Sequence, residues 1–268
     1  FRLKGFMYPV DCLYLKKNEN NYLDTTLIAI LQTHIDSPFP GDILAFLTGQ
    51  DEIETLKKIL LKKIELLKPN QKKLKILTLY SNLPNHIQKE VFEINGNESK
   101  YYRRVILSTN IAETSITIPN IKYVIDAGKV KRKYFNPNTC IDEYRVVNVS
   151  KSEAWQRCGR AGRICKGYCL RLYTENHFEY SLDEDIIPEI KRSNLRSVVL
   201  MLKKIGIKSV NKFDLIDKPD GNLVNASLSE LFMLSALDMK THKLTELGRQ
   251  MCIFPLDPMY CKVLLKSE

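Results

Sequence analysis

Between residues 41 and 128 the sequence alternates short, unbroken apolar runs with stretches of helical period, and few folds accept that pattern. GDILAFLT (Gly41–Thr48), KILTLY (Lys75–Tyr80), RRVILST (Arg103–Thr109) and KYVIDAG (Lys122–Gly128) read as strands. From Asp51 to Leu67, Ile53, Leu56, Ile59, Leu60 and Ile64 fall on one helical face, and Asn85 to Phe92 reads as a second, shorter helix. A strand that is apolar on both faces needs cover on both faces, which helices supply in a parallel sheet. The expectation is an open α/β domain whose ligands sit at the carboxyl ends of the strands.

Residues 128–149 break the alternation. VKRKYF and IDEYRVV flank Asn136-Pro-Asn-Thr139, a turn sequence, so a β-hairpin is expected to project from the sheet. After about Thr174 the strand signals fade. Leu195–Ile205 carries Val198, Val199, Leu202 and Ile205 on one stripe; Ser229–Leu237 reads as another helix, a third starts in Lys243–Cys252 and a fourth from Pro258. A compact, mainly helical module follows the α/β part. No internal repeat is seen, and Lys16–Asn21 and Lys68–Lys73 read as surface loops.

Composition limits the function classes. The 268 residues are 44% hydrophobic, ample for a buried core, and 41 Lys and Arg against 31 Asp and Glu leave a net charge of +10. A basic protein of this size often meets a polyanion. The seven cysteines are odd in number and form no CxxC pair, so neither a disulfide framework nor zinc is expected, and a reducing intracellular setting is the simplest. No apolar run is long enough to span a membrane. The chain opens at Phe1 and ends within a helical pattern at LLKSE, and is expected to be a section of something longer.

Two segments stand out as carriers of chemistry. In QRCGRAGR (Gln156–Arg163), arginines recur at Arg157, Arg160 and Arg163 with Gly159 and Gly162 between them. Read as a helix, this sets Gln156, Arg160 and Arg163 on one face. The planar, permanently charged guanidinium suits phosphate. Glycines inside a helix cost about 1 kcal/mol each relative to alanine, which points to close approach by another part of the molecule. STNIAETSITIPN (Ser108–Asn120) follows a buried strand and holds eight hydroxyl, amide or carboxylate side chains. A polar loop there could hold phosphates of nucleotide or of nucleic acid. Asp51 and Glu54 in FLTGQDEIE (Phe46–Glu54) read as a capping-box-like helix start. Phe92, in LYSNLPNHIQKEVF (Leu79–Phe92), reads by default as a core aromatic.

Other chemistries lack their parts. No G-x-x-x-x-G-K-[ST] loop occurs, since Gly128-Lys129 is followed by valine, and no Asp-Glu-x-His run occurs. Phosphoryl transfer needs a lysine loop on the phosphates and an acid on Mg²⁺, so this chain is not a complete ATPase. No GxSxG is present, and His34, His86, His177 and His242 are scattered.

In this order the segments resemble those of the DEAH-box (DEAH/RHA, superfamily 2) ATP-dependent RNA helicases. FLTGQDEIE resembles the family's motif IV, LYSNLPNHIQKEVF motif IVa, STNIAETSITI motif V and QRCGRAGR motif VI; YVIDAGKVKRKYFNP resembles the entry to its long hairpin. Pro188–Ile207 and Leu244–Leu265 resemble the winged helix and the start of the helical bundle. The resemblance implies a second RecA-like domain over residues 1–177, its parallel sheet covered on both faces, with a protruding hairpin. A small, mainly α winged-helix domain follows over 178–242, and the start of a ratchet-like helical bundle over 243–268. It implies arginine fingers at Arg160 and Arg163, with Gln156 helping to place the γ-phosphate or attacking water. Phe92 would pack on adenine, and Ser115 and Thr117 would lie near the nucleotide. Thr48, Gly49, Ser81, Thr109 and Asn110 would meet the RNA backbone. Where some relatives carry a ribose-contacting aspartate, two residues after the Thr117 position, this chain has Pro119, and Cys158 replaces the commoner alanine. The implied ligands are ATP and Mg²⁺, the metal held mainly by a first RecA-like domain elsewhere in the full-length chain. The implied partners are single-stranded RNA, that first domain and a glycine-patch activator protein, in the nucleus or nucleolus. A catalytically inactive RNA-binding scaffold is the alternative.

Overall fold

The computed structural model describes residues 8–65, 73–93, 102–114 and 116–267. They form two compact units, one of residues 1–131 and 146–186, the other of 132–145 and 187–268, within which only described residues are discussed.

The first unit is built on strands β1 (Val10–Tyr14), β2 (Asp42–Phe46), β3 (Lys73–Leu79), β4 (Tyr102–Ser108), β5 (Ile121–Asp126) and β8 (Gly167–Arg171). They form one sheet in the order β1-β8-β5-β2-β4-β3, and every pairing is parallel. Alternation along each strand sends side chains to two cores. Ile43, Ala45, Val105, Leu107, Tyr123 and Ile125 pack with helices α1 (Tyr22–Asp36) and α2 (Gln50–Ile64). Leu44, Phe46, Ile106, Val124 and Cys169 pack on the other face with Val91 of α3 (Asn85–Phe92) and Cys158 of α4 (Lys151–Cys158). Burying each such side chain is worth about 1.5–3 kcal/mol. The continuous apolar runs are therefore buried on both faces, as their composition requires. The pattern does not single out β1, α1 or β8, whose sequences mix polar and apolar residues.

Two local readings change. The helix at 50–64 is not capped by Asp51 and Glu54: its N-cap is Gly49, without a side chain. Glu52 instead turns back to accept from the Thr48 amide at 3.0 Å and from the Tyr22 hydroxyl, and Glu54 accepts from Tyr80 Oη at 3.1 Å. The helix through QRCGRAGR ends at Cys158, with Gly159 as its C-cap, and turns bonded from Arg160 N to Arg157 O and from Ala161 N to Cys158 O replace it. Its start is fixed by a capping box of Ser150 and Glu153. Gly162 lies where the edge strand comes in: a Cβ there would stand 2.5 Å from Tyr8 O, and Tyr8 N donates to Gly162 O at 2.9 Å. The close approach expected of the glycines exists at Gly162, outside any helix.

Strands β6 (Lys129–Asn136) and β7 (Ile141–Asn148) pair as a hairpin, with Cys140 at φ 56° in the turn. The second unit contains helices α6 (Arg196–Lys204), α7 (Gly221–Met233), α8 (Glu246–Met251) and α9 (Pro258–Leu265), following α5 (Glu175–Ser181) of the first unit. One core joins Phe135, Val199, Leu223, Leu231, Met251 and Cys261. α7 starts eight residues before the expected Ser229, because Asp220 caps it by accepting from Asn222 N. α8 starts later than Lys243, because Leu244 pairs with Leu237 in an antiparallel bridge and Thr245 is the N-cap. α6 ends on a Schellman turn: Gly206, at φ 93°, donates to Lys203 O and Ile207 N donates to Leu202 O.

Candidate phosphate-binding site

The last residues of the strands form one row across the first unit's sheet: Leu79, Ser108, Phe46, Asp126, Arg171 and Tyr14 are register partners in turn. FLTGQ, LYSN and STNIAE leave the sheet from this carboxyl edge, where an open α/β sheet places its ligands, whereas QRCGRAGR runs from the end of α4 to the start of β8. Thr48 and Gly49 follow β2, Ser81 follows β3, and Thr109 and Asn110 follow β4, so these five positions are neighbours along one edge. Backbone bonds extend the ladder past the strands, from Leu47 N to Ser108 O and from Thr109 N to Leu79 O. Ser81 and Asn110 are exposed, Thr48 is buried, and Thr109 and Gly49 lie between.

Against Asp126 of this row sits Arg157, and neither residue has exposed surface. Its Nη1 donates to Asp126 Oδ1 at 2.7 Å and to Lys129 O at 3.2 Å, its Nε donates to Glu113 Oε2 at 3.2 Å, and its guanidinium lies 4.9 Å from the Phe46 ring centre. Asp126 is further held by Gly128 N at 2.9 Å and by Tyr173 Oη at 3.1 Å. Gly128, at φ 68°, has the Tyr173 ring where a Cβ would stand. Burial raises the Tyr173 hydroxyl far above its usual range, so it stays a donor.

One guanidinium thus faces two carboxylates. Asp126 has the shorter bond and two further donors, and Glu113 has the longer one. Burial pushes the Glu113 carboxyl up from 4.5 to about 7; Arg157 opposes the shift and Glu153 and Asp126 add to it. An acid whose folded-state pKa is raised contributes stability in full below about 4.5 and loses it as pH rises through about 7. Replacing Glu113 by glutamine is therefore expected to flatten the stability curve between those two values. Chemical denaturation across that range reads the change directly.

Arg160 and Arg163 continue the series against the same loop. Arg160 Nη1 donates to Ile116 O at 3.2 Å and Arg163 Nη1 to Thr117 Oγ1. Arginines at 157, 160 and 163 thus engage residues 113, 116 and 117 in order, fastening the two segments together. Neither Arg160 nor Arg163 has a carboxylate within ion-pair distance among the described residues. Burial, and next the charge of Arg163, lowers the Arg160 pKa, and its Nε is buried without a partner.

Gln156 is exposed on α4. Phe92 ends α3, half-buried, and packs on the core that also receives Ile111 and Ile116. The sequence reading as a core aromatic holds for that contact. Ser115 lies outside the described residues. Sequence reasoning gave no role to Glu113, Asp126 or Tyr173 and none to Arg157 beyond its place in the triplet. An acid closing the apolar run KYVID was the available signal. Among the described residues no group of three or more His, Cys, Asp or Glu side chains is placed to hold a metal ion, and no helix is long and apolar enough to cross a membrane.

Fold and site together define an α/β domain in which Arg160 and Arg163, without a carboxylate partner among the described residues, bond the polar loop that joins β4 to β5 of a parallel sheet. The helicase conserved C-terminal domain matches residues 25–165, and the winged-helix helicase associated domain (HA2) matches 227–256. The chain is 43% identical over 267 residues to the human ATP-dependent RNA helicase DHX33, covering 99% of this chain and 37% of that protein. It is 44% identical over 267 residues to the pre-mRNA-splicing factor ATP-dependent RNA helicase prp22 of Schizosaccharomyces pombe, covering 100% of this chain and 22% of the relative. The crystal structure of the Escherichia coli DEAH/RHA helicase HrpB superposes with a TM-score of 0.85 at 27% identity, over 99% of this chain and 32% of that one. The chain therefore belongs to the DEAH-box RNA helicases of superfamily 2, as a C-terminal helicase region of RecA-like α/β fold. It spans little more than a third of the human relative and less of the yeast one.

Proposed function

We propose that this chain supplies one half of a split ATP site and part of an RNA track, in a longer ATP-dependent RNA helicase that moves along or remodels RNA. The observation that carries the reading is the division of labour among three arginines. Arg157 takes both carboxylates, and Arg160 and Arg163 are left with neutral acceptors only. Such a pair fits a polyphosphate, with two planar forks available for bidentate contact.

In this reading Arg160 and Arg163 are arginine fingers that meet the β- and γ-phosphates and stabilise charge as the phosphoryl group leaves, while Gln156 helps to place the attacking water. Phe92 packs on adenine, and Ser115 and Thr117 lie near the nucleotide. Thr117 holds Arg163 until phosphate displaces it. ATP supplies the phosphoryl group and Mg²⁺ neutralises part of its charge. Neither the lysine loop nor the acids that would bind them occur in this sequence, so no step here depends on the metal. Thr48, Gly49, Ser81, Thr109 and Asn110 contact the RNA backbone through hydroxyl, amide and main-chain groups, which makes binding independent of sequence. The proposed domains are a second RecA-like domain at 1–177, a winged helix at 178–242 and the start of a helical bundle at 243–268. The first RecA-like domain of the same longer chain completes the site. A glycine-patch activator protein and a nuclear or nucleolar setting belong to the same reading. The setting is supported by a relative named as a pre-mRNA-splicing factor.

Steady-state ATP hydrolysis by the longer protein, with and without single-stranded RNA, tests this. Turnover that rises with RNA is expected. RNA binding with no hydrolysis would favour a scaffold.

A further inference from the structure

A basic groove lies wholly within the second unit, apart from every site residue assigned above. The end of α6 and the turn between Leu237 and Leu244 border a groove of about 850 Å³. Lys203, Lys204, Lys208, Lys243 and Arg249 line it, and no aspartate or glutamate does. Ile207, Leu244 and the exposed Ile253 are its aliphatic lining.

The charges of the groove are poorly compensated. Lys203 Nζ donates to Lys208 O at 2.7 Å and Lys204 Nζ to Cys252 O at 3.4 Å, both neutral acceptors. Burial lowers the Lys203 pKa, with no carboxylate to oppose it. Lys208 and Lys243 are exposed and have no carboxylate within ion-pair distance among the described residues. Only Arg249 is paired, with exposed Glu246 at 3.3 Å, a surface pair of small energetic weight. The acid of the turn, Asp238, does not line the groove and accepts at Oδ1 from Thr241 N and Oγ1, each at 2.7 Å, and from Lys240 N at 3.2 Å. Gly206 leaves open space over its Cα, so a ligand can reach the backbone there.

We propose that this groove binds the phosphodiester backbone of RNA, as a track separate from the one at the sheet edge. Repeating point charges on flexible lysines match repeating phosphates, and the bound strand releases counterions. No Phe, Tyr or Trp lines the groove, and the His242 ring stands edge-on to Phe232 at 5.1 Å. Bases have no platform to stack on, so binding is expected to be indifferent to base identity. The family supplies RNA as the polyanion at hand. An acidic peptide is the competing occupant.

The test uses the 268-residue chain and the exposed double variant Lys208→Gln/Lys243→Gln. Anisotropy of labelled oligouridylate and oligoadenylate is read over a salt series. Loss of two phosphate contacts should reduce the slope of log K against log salt by about 1.4, at about 0.7 per contact, and lower affinity on the order of tenfold at low salt. Both RNAs should change alike. An unchanged slope and affinity would overturn the groove, as would a variant that loses only an acidic peptide. The variant Thr109→Ala/Asn110→Ala, in the sheet-edge track, separates the two readings. If it alone weakens RNA, the groove falls and the proposed function stands; if only the lysine variant does, the groove stands and the sheet-edge track falls.

Discussion

Replacing Arg163 by alanine in the longer protein is expected to lower RNA-stimulated ATP turnover by about 10³–10⁵-fold, the range for arginine fingers. The expectation rests on what Arg163 touches. Among the described residues its side chain bonds Thr117 Oγ1, an uncharged acceptor that a phosphate can displace. Removing it breaks no ion pair and leaves the buried network of Arg157, Asp126 and Glu113 intact. RNA affinity should hold, because the proposed contacts leave β2, β3 and β4 at other positions. Lysine at 163 keeps the charge and loses the planar fork, so an intermediate rate is expected. Steady-state kcat at saturating RNA, with RNA affinity measured separately, checks both halves.

Arg157 should behave in the opposite manner, as a determinant of stability first. Arg157→Met leaves Asp126 and Glu113 buried without their cation, and breaking a buried pair in this way costs about 3–5 kcal/mol. That is a large share of the 5–15 kcal/mol by which a folded domain is stable. Adding Glu113→Gln should return part of the loss at a pH above about 7, where Glu113 would otherwise carry charge beside Asp126. Urea denaturation of the single and double variants measures the coupling. Equal stability of Arg157→Met and the parent chain would show that the network does not fasten the two segments.

The strands β2 and β4 were legible because a strand covered on both faces carries an unbroken apolar centre, ILAF and VIL here, with the buried polar residues Asp42, Arg103 and Ser108 confined to its ends. Interior β8 and edge strand β1 were less so. β1 meets one neighbour, and its VDCLY carries polar and apolar residues alike. The sequence placed Arg160 and Arg163 together through helical spacing, yet the helix stops at Cys158 and bonds to residues 116 and 117 align them instead. Helical period and a run of tight turns share nearly the same spacing, so the sequence alone does not separate them. Glu113 and Asp126 were invisible as a pair because they meet through Arg157, 44 and 31 residues away. The shift of helix starts at Asp220 and Thr245 came from capping side chains that precede the apolar stripes.

The most direct test of a split ATP site compares three proteins in one hydrolysis assay with saturating RNA. They are the 268-residue chain alone, the longer protein, and the longer protein carrying Arg163→Ala. Turnover above background is expected only in the second. Hydrolysis by the chain alone, or undiminished hydrolysis without Arg163, would contradict the account.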